Sequence, residues 1–495
     1  MLSTTEGFEY SPLEGIKAGL ATPAVIAPGE LNASTKTEYD MIVVGAGHAG
    51  LTATRDLTAQ GRKVLLVEAR DRIGGRTWTS FKDAQGFEMG GTWIHWHQPH
   101  VWAEVTRYGL NDQIKDSLEY FEGCIPYATF KNGVQKDWSI EELGALQTRT
   151  QHIFHNPDGK NARDIVPYPH NPTYNQKDFA RYDQMSGRDR INQLKEVLTD
   201  EELRILEGTL VAMAGPLEDA SFFDLIQRWV LGGAEYQEYV NHMARYKLKC
   251  GQSGLARHIF DDCCLTGKLC YSFSTVVKSI DSSNPKKATV ACSDGRVFSA
   301  QKIICTIPLT VLRTISFNPP LSALKAEAVA TSGSNPIRKL HAEVEGRRWR
   351  SYGASSFTDG NMMMGMGDSF SASGDDTHMV FFFVGGKEDP VQRPHEQLEG
   401  VESVHPDFKV KHLIFTDWNN DPLANGSWCF FQPEYMSKYL GALQEQLGNL
   451  KFASGDYSDG WRGFIDGAIE SGTLAAREVE AELKSAGLHL ASATL

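Results

Sequence analysis

Cysteine is scarce and unpatterned. Eight thiols in 495 residues, at positions 124, 250, 263, 264, 270, 292, 305 and 429, form no CxxC pair and no disulfide-like spacing. A reduced intracellular protein with scattered, packed thiols is expected, and the adjacent Cys263–Cys264 reads as part of a helix rather than a metal site. A basic surplus is also missing: 49 basic against 62 acidic side chains leave a net charge of -13. That argues against nucleic acid as the main partner, and a solubilising acidic surface explains it. The longest apolar runs, such as His378 to Val384, are too short to cross a bilayer. The first residues carry neither the basic start nor the apolar run of a secretory signal, so the matches to a glycosylation pattern at Asn32 and Asn425 read as chance. Ala493-Thr494-Leu495 lacks the basic middle residue of the usual peroxisomal signal. A soluble intracellular protein, cytoplasmic or peroxisomal, is expected. No internal repeat is visible.

What is present is an ordinary globular composition, 41% hydrophobic and 22% charged, in a chain too long for one simple domain. Residues 1–37, rich in Pro, Gly, Ser and Thr, read as an irregular arm. From Glu38 the texture changes. Tyr39 to Val44 is a compact apolar run that suits a buried parallel strand, His48 to Gln60 favours helix, and Lys63 to Val67 is a second apolar run ending on Glu68. Strand, helix, strand within about 30 residues is the βαβ unit. Further on, Glu201–Ala214 and Tyr236–Tyr246 read as helical, and Lys268 to Ile307 as strands with a hairpin turn at Ser293–Arg296. Lys339–Val344 and Met379–Val384 read as strands. From Gly463, apolar or small residues at 465, 468, 469, 472, 476, 479 and 483 keep helical spacing.

Gly45-Ala46-Gly47-His48-Ala49-Gly50 fits GxGxxG, with its strand before it, its helix after it and an acid at Glu68. The glycines serve a tight turn, close approach of backbone to pyrophosphate and close helix–strand packing. The helix start points amides at phosphate, and Glu68 can accept from ribose hydroxyls. The next segment, Glu68-Ala69-Arg70-Asp71-Arg72-Ile73-Gly74-Gly75-Arg76, resembles the signature that follows the acid in glutathione-reductase-like flavoproteins of the amine oxidase group. Its paired glycines would let backbone reach the diphosphate, and Arg76 would offer a fork of donors. Gly90-Gly91-Thr92-Trp93 resembles the family's turn beside the flavin rings.

The tail, Phe452 to Asp456 and Gly460 to Gly472, resembles the flavin-embracing end of monoamine oxidases. With Leu423–Trp428 and Ile337–Val344, the chain from about Glu38 to about Ala481 is similar to the flavin-containing monoamine oxidase family, nearest its soluble fungal members. The resemblance implies an α/β fold: a Rossmann-type FAD-binding domain interleaved with an α+β substrate domain. The expected division is an arm at 1–37, FAD-binding parts at 38–118, 247–325 and 415–482, substrate parts at 119–246 and 326–414, and a tail at 483–495. It implies FAD held by Gly45, Ala46, Gly47, Ala49, Gly50, Glu68, Ala69, Arg70, Gly74, Gly75, Arg76, Gly90, Gly91, Thr92, Trp93, Val277, Trp418, Gly455, Asp456, Phe464 and Ile465. Trp428 and Phe464 match the two rings of the family's aromatic cage, whose faces can hold and polarise an amine. Lys339 matches the lysine near flavin N5. Leu210, Met213, Val240, Ala244 and Asn335 match substrate-pocket positions. Where mammalian members attach flavin through cysteine, this chain has Ser427. Cys429, two positions on, would share its face in a strand but lie roughly 6–7 Å away, so FAD is expected to be non-covalent.

The implied reaction oxidises a primary or secondary amine to an imine, by hydride transfer to flavin N5, with O2 reduced to H2O2. Polyamine, L-amino-acid or secondary-metabolite oxidation shares these motifs, but a charged substrate end would need an arginine or an acidic patch to grip it. From another class, a flavin-free prenyl-carrier-like protein is opposed by the intact phosphate glycines and Arg76. The expected partners are a small amine and O2, without nucleic acid or membrane, and a homo-oligomer is left open. His95, His97 and His100 read as tunnel lining, and no metal is assigned.

Overall fold

A computed structural model describes residues 1–27, 38–117, 127–131, 134–333, 335–356, 362–385 and 389–492. Its first sheet grows from the most apolar runs. Val64–Val67 is buried at every position, and it pairs in parallel with Tyr39–Val44 on one side and Leu269–Ser272 on the other. Such runs suit strands covered on both faces. Val297–Cys305 adds in parallel to Tyr39–Val44, and its other edge is shared by Leu450–Phe452 and the hairpin strand Lys287–Cys292. The helix His48–Ala59 follows the first strand, as the βαβ pattern requires, and packs against Gly251–Leu265 and the long C-terminal helix Ile465–Ser492. Cys263 and Cys264 lie in that middle helix.

The second sheet has nine strands in the order Gly15–Ala18, Phe8–Ser11, Val410–Phe415, Ile337–Val344, Thr377–Val384, Met362–Phe370, Gly353–Ser356, Tyr127–Lys131 and Val134–Trp138. The N-terminal segment is therefore not an irregular arm. Phe8–Ser11 and Gly15–Ala18 form a hairpin that adds to the edge of Val410–Phe415, with Phe8 stacked on Phe415 at 5.6 Å. The segment expected to be helical to Tyr246 stops at Met243, and Tyr246–Leu248 instead pairs with Ile114–Asp116.

Helices between residues 140 and 243 follow the edge strand Val134–Trp138 of the nine-stranded sheet. The helix Asp200–Ala214 begins at a capping box: the Thr199 side chain accepts from the Glu202 N–H, and Glu202 reaches back to the Thr199 backbone. One face of this helix meets the core through Ile205, Leu206 and Leu210, which leaves its other face to line a cavity. Among the described residues, no helix is long and apolar enough to cross a membrane.

Candidate active site

A cavity of about 540 Å³ runs from the carboxyl ends of the parallel strands to the inner face of the nine-stranded sheet. This is where open α/β sheets bind ligands. At the strand end it is walled by Gly45, Gly47, His48 and Ala49. Gly47 caps the helix His48–Ala59 without any side-chain hydrogen bond, and no acid stands in its first turn, so the helix start faces the cavity as an anion site. Gly75, at φ +60°, lies against Gly47, and a Cβ there would sit 3.2 Å from the Gly47 Cα. The Glu68 carboxylate accepts from the backbone N–H groups of Ala46 at 2.6 Å and Arg70 at 2.8 Å. Burial raises its pKa.

Val277, Ala69, Gly74, Gly90, Gly91, Thr92, Trp93, Trp418, Gly455 and Ile465 also line this cavity. Three expected cofactor contacts do not. Ala46 is turned to Glu68. Gly50 serves packing, since a Cβ on it would stand 1.9 Å from the Gly45 carbonyl oxygen. Asp456 is buried behind Arg76, pairing with it at 2.6 Å and accepting from Leu309 N at 2.9 Å. The Arg76 fork is thus engaged by Asp456 and by the Ser427 carbonyl at 3.1 Å, and Arg70, though in the wall, is tied to Glu6 and Asp421.

At the other end Trp428 and Phe464 both line the cavity. The Trp428 indole N–H donates to the Met213 carbonyl at 3.2 Å. Phe464 is backed by Trp461 at 5.0 Å and by the Arg228 guanidinium 5.3 Å from its ring. Lys339 is buried here. Its ammonium donates to the Gly90 carbonyl at 3.0 Å and to the Thr92 hydroxyl, with the Trp93 ring 5.5 Å away. Burial pushes the Lys339 pKa down while Glu88 opposes the shift, and burial pushes Glu88 up.

Of the expected substrate positions, Met213 and Ala244 line the cavity. Leu210 does not: it points into the hydrophobic core. Asn335 does not either. Its backbone braces the cage turn, accepting from Ser427 Oγ at 2.7 Å. The Val240 side chain lies outside the described residues. Ser427 and Cys429 do not share a strand face, because the chain turns irregularly there, with φ +54° at Asn425 and +126° at Gly426. Ser427 faces the cavity, Cys429 lies beside a separate small pocket, and burial raises its thiol pKa. His95, His97 and His100 do not line this cavity. His95 packs on Trp461 at 5.1 Å, His97 on His95 at 5.3 Å, and His100 meets His170. Sequence reasoning missed Met363, Met364 and Met366, and also Thr209, Gln147 and Tyr127. Alternation along the strand Met362–Phe370 could have flagged Met364 and Met366 as sharing a face.

A family match then settles the class: the description "flavin containing amine oxidoreductase" covers residues 48–480. The chain belongs to this family. Within the family, it is 29% identical over 455 residues to pseudooxynicotine dehydrogenase of a Pseudomonas species, covering 91% of this chain and 88% of the relative. It is 28% identical over 493 residues to nicotine dehydrogenase of Pseudomonas putida, covering 96% and 98%. The amine oxidase fold is matched by cyclohexylamine oxidase from Brevibacterium oxydans, with TM-score 0.73, 19% identity, and coverage of 90% and 100%. Putrescine oxidase bound to putrescine matches with TM-score 0.71, 18% identity, and coverage of 90% and 99%. The family is one of flavin-dependent enzymes, so the flavin-free carrier reading is set aside. The wall itself fits a flavin nucleotide: an uncapped helix start, glycines that admit backbone contact and a carboxylate at the next strand end.

Proposed function

We propose that this chain is an FAD-dependent oxidase of uncharged-tailed primary or secondary amines, with FAD bound non-covalently. Gly45, Gly47, Gly74, Gly75 and Glu68 would hold the dinucleotide, and the start of the helix Ile465–Ser492 would meet the ring system. Non-covalent binding is supported by the cavity wall, which among the described residues contains no cysteine. When bound, the flavin supplies the acceptor for a hydride equivalent and passes the electron pair to O2, giving H2O2 and an imine that hydrolyses in water.

The protein's part is to orient and desolvate. The Trp428 and Phe464 faces grip the amine nitrogen and its adjacent carbon. The apolar slot made with Met213, Met364 and Phe382 excludes water and disfavours the ammonium form, so the reactive free amine gains population. Lys339, buried beside Gly90 and Thr92, is a fixed donor where charge develops during reoxidation. No side-chain base is needed.

One observation carries the substrate reading. Among the described residues, the charged groups in the wall are Glu68, Arg70, Arg76 and Lys339, and the first three belong to the nucleotide end. Among the described residues, no carboxylate lines the wall beside the cage to grip a second ammonium, and Arg228, which backs Phe464, does not line the wall to grip a carboxylate. That favours monoamines over polyamines or amino acids. The test is a peroxide-coupled screen of benzylamines, aliphatic amines, cyclic amines including nicotine, polyamines and amino acids. Turnover confined to the last two classes would overturn the reading.

A second reading is favoured by the relatives named dehydrogenases, in which the electron pair leaves to an acceptor other than O2. Mixing substrate-reduced enzyme with air or with an artificial quinone separates the two: reoxidation by quinone alone selects the second.

A further inference from the structure

The cavity does not end on apolar side chains. Met213, whose carbonyl takes the Trp428 N–H, stands on the helix Asp200–Ala214. Thr209 lies one turn earlier on the same helix and also lines the cavity, about 6 Å farther from the cage. There the wall becomes polar and uncharged. Gln147, from the helix Ile140–His155, reaches Thr209, while Tyr127, hydrogen-bonded to Ser355, closes the end from the nine-stranded sheet.

The direction of each hydrogen bond can be assigned. The Thr209 hydroxyl donates to the Ile205 carbonyl at 2.8 Å, so its oxygen is left to accept. It accepts from Gln147 Nε2 at 3.1 Å. The Gln147 Oε1 accepts from the Tyr236 hydroxyl. Both ends of the amide are therefore fixed. An amide nitrogen carries two protons, and among the described residues only one is engaged. The second N–H belongs to a group that lines the cavity, and the amine chemistry makes no use of it.

We propose that Gln147, locked by Thr209 and Tyr236, is a specificity-determining residue that reads a neutral hydrogen-bond acceptor at the far end of the amine substrate. The acceptor is an aza-aromatic nitrogen or a carbonyl oxygen. The inference rests on the amine oxidase reading above. A charged end is not selected, since no described charged group stands at this end of the wall. An apolar end would displace water from this half-buried donor without replacing its hydrogen bond, which is costly.

The experiment uses the flavin-loaded enzyme and two isosteric pairs: 4-phenylbutylamine against 4-(pyridin-3-yl)butylamine, and 6-methylheptylamine against 6-aminohexanamide. Anaerobic flavin bleaching gives the rate and apparent Kd for each. A single neutral hydrogen bond corresponds to a preference of roughly 3- to 10-fold for the acceptor-bearing member. A preference in the first pair alone identifies a ring nitrogen as the feature read, and in the second alone a carbonyl. In Gln147→Leu the preference collapses toward one. Gln147→Glu keeps the shape but removes both N–H donors, and must also lose the preference in the pyridyl pair, whose ring nitrogen only accepts, if the leucine variant fails to fold. Bleaching by all four amines with equal affinity within each pair overturns the subsite and leaves the oxidase reading intact. Absence of bleaching by any amine in the wider screen overturns the oxidase reading itself.

Discussion

Gly472 is a single position where two physical effects predict opposite signs. It lies inside the helix Ile465–Ser492, where replacing glycine by alanine ordinarily stabilises by about 1 kcal/mol. Yet a Cβ there would stand 2.2 Å from the Ala49 carbonyl oxygen and 3.0 Å from the Ala49 Cα. Ordinary contact begins at 3.4 Å, so the two helices must part by about 1.2 Å. The obstacle is backbone on a rigid helix, which no rotamer change relieves. Overpacking of this kind costs about 1–3 kcal/mol, and it outweighs propensity. The displaced helix is the one whose start faces the cavity beside Gly47, and its alignment contributes about 0.3–2 kcal/mol to holding an anion. Gly472→Ala should therefore lower the thermal midpoint and weaken FAD binding roughly 2- to 30-fold. The assays are melting with and without added FAD, and fluorescence titration of the flavin-stripped protein. Leu474→Ala, on the same helix at a 45% exposed position, serves as the control and should change neither. A Gly472→Ala protein that melts at or above the wild-type midpoint with unchanged FAD affinity would refute the close-contact argument.

Trp428→Ala should slow anaerobic flavin reduction by at least about tenfold, equivalent to about 1.4 kcal/mol of barrier, with little change in FAD affinity; equal loss of both would remove the cage role. Lys339→Met should slow reoxidation by O2 more than reduction. Because burial sets the Lys339 pKa below that of free lysine, wild-type reoxidation should fall as pH rises through a range below the usual lysine value, and stopped-flow traces of the variant should be flat there. His155, stacked on Trp229 at 4.4 Å, is held neutral by burial, its pKa pushed down to about 3 from 6.5. The unfolded chain takes up that proton first, so stability is unchanged above about pH 6.5 and falls as pH drops below it, by about 2 kcal/mol at pH 5. Urea unfolding at pH 7 and 5 should show a smaller acid loss in His155→Phe, and an identical loss would exclude this histidine as its source.

The parts legible in the sequence are those whose physics is local. The turn from Val44 into His48, with glycines at 45, 47 and 50, can be read because a positive φ, an amide-lined helix start and a close helix approach each leave a fixed residue spacing. Parallel strands such as Val64–Val67 announce themselves by unbroken apolar character. What could not be read depends on partners far along the chain. The hairpin at Phe8–Ser11 is too short to declare itself, and it is held by Val410–Phe415, a pairing no window of local periodicity contains. Arg76 lines the cavity wall as expected, but its pairing with Asp456 and the Ser427 carbonyl could not be read, because a guanidinium goes to whichever acceptors folding brings near. The exchange of Leu210 for Thr209 is the most instructive. Adjacent helical residues differ by about 100° in direction, so one residue separates core from cavity, and the match to family pocket positions fell on the neighbour that faces the core. Chemistry weights it the other way: the Thr209 hydroxyl already donates to the Ile205 carbonyl of its own helix, and toward the cavity its oxygen also accepts from Gln147. In a substrate pocket beside a core, the polar residue of an adjacent pair is therefore the better candidate for the wall.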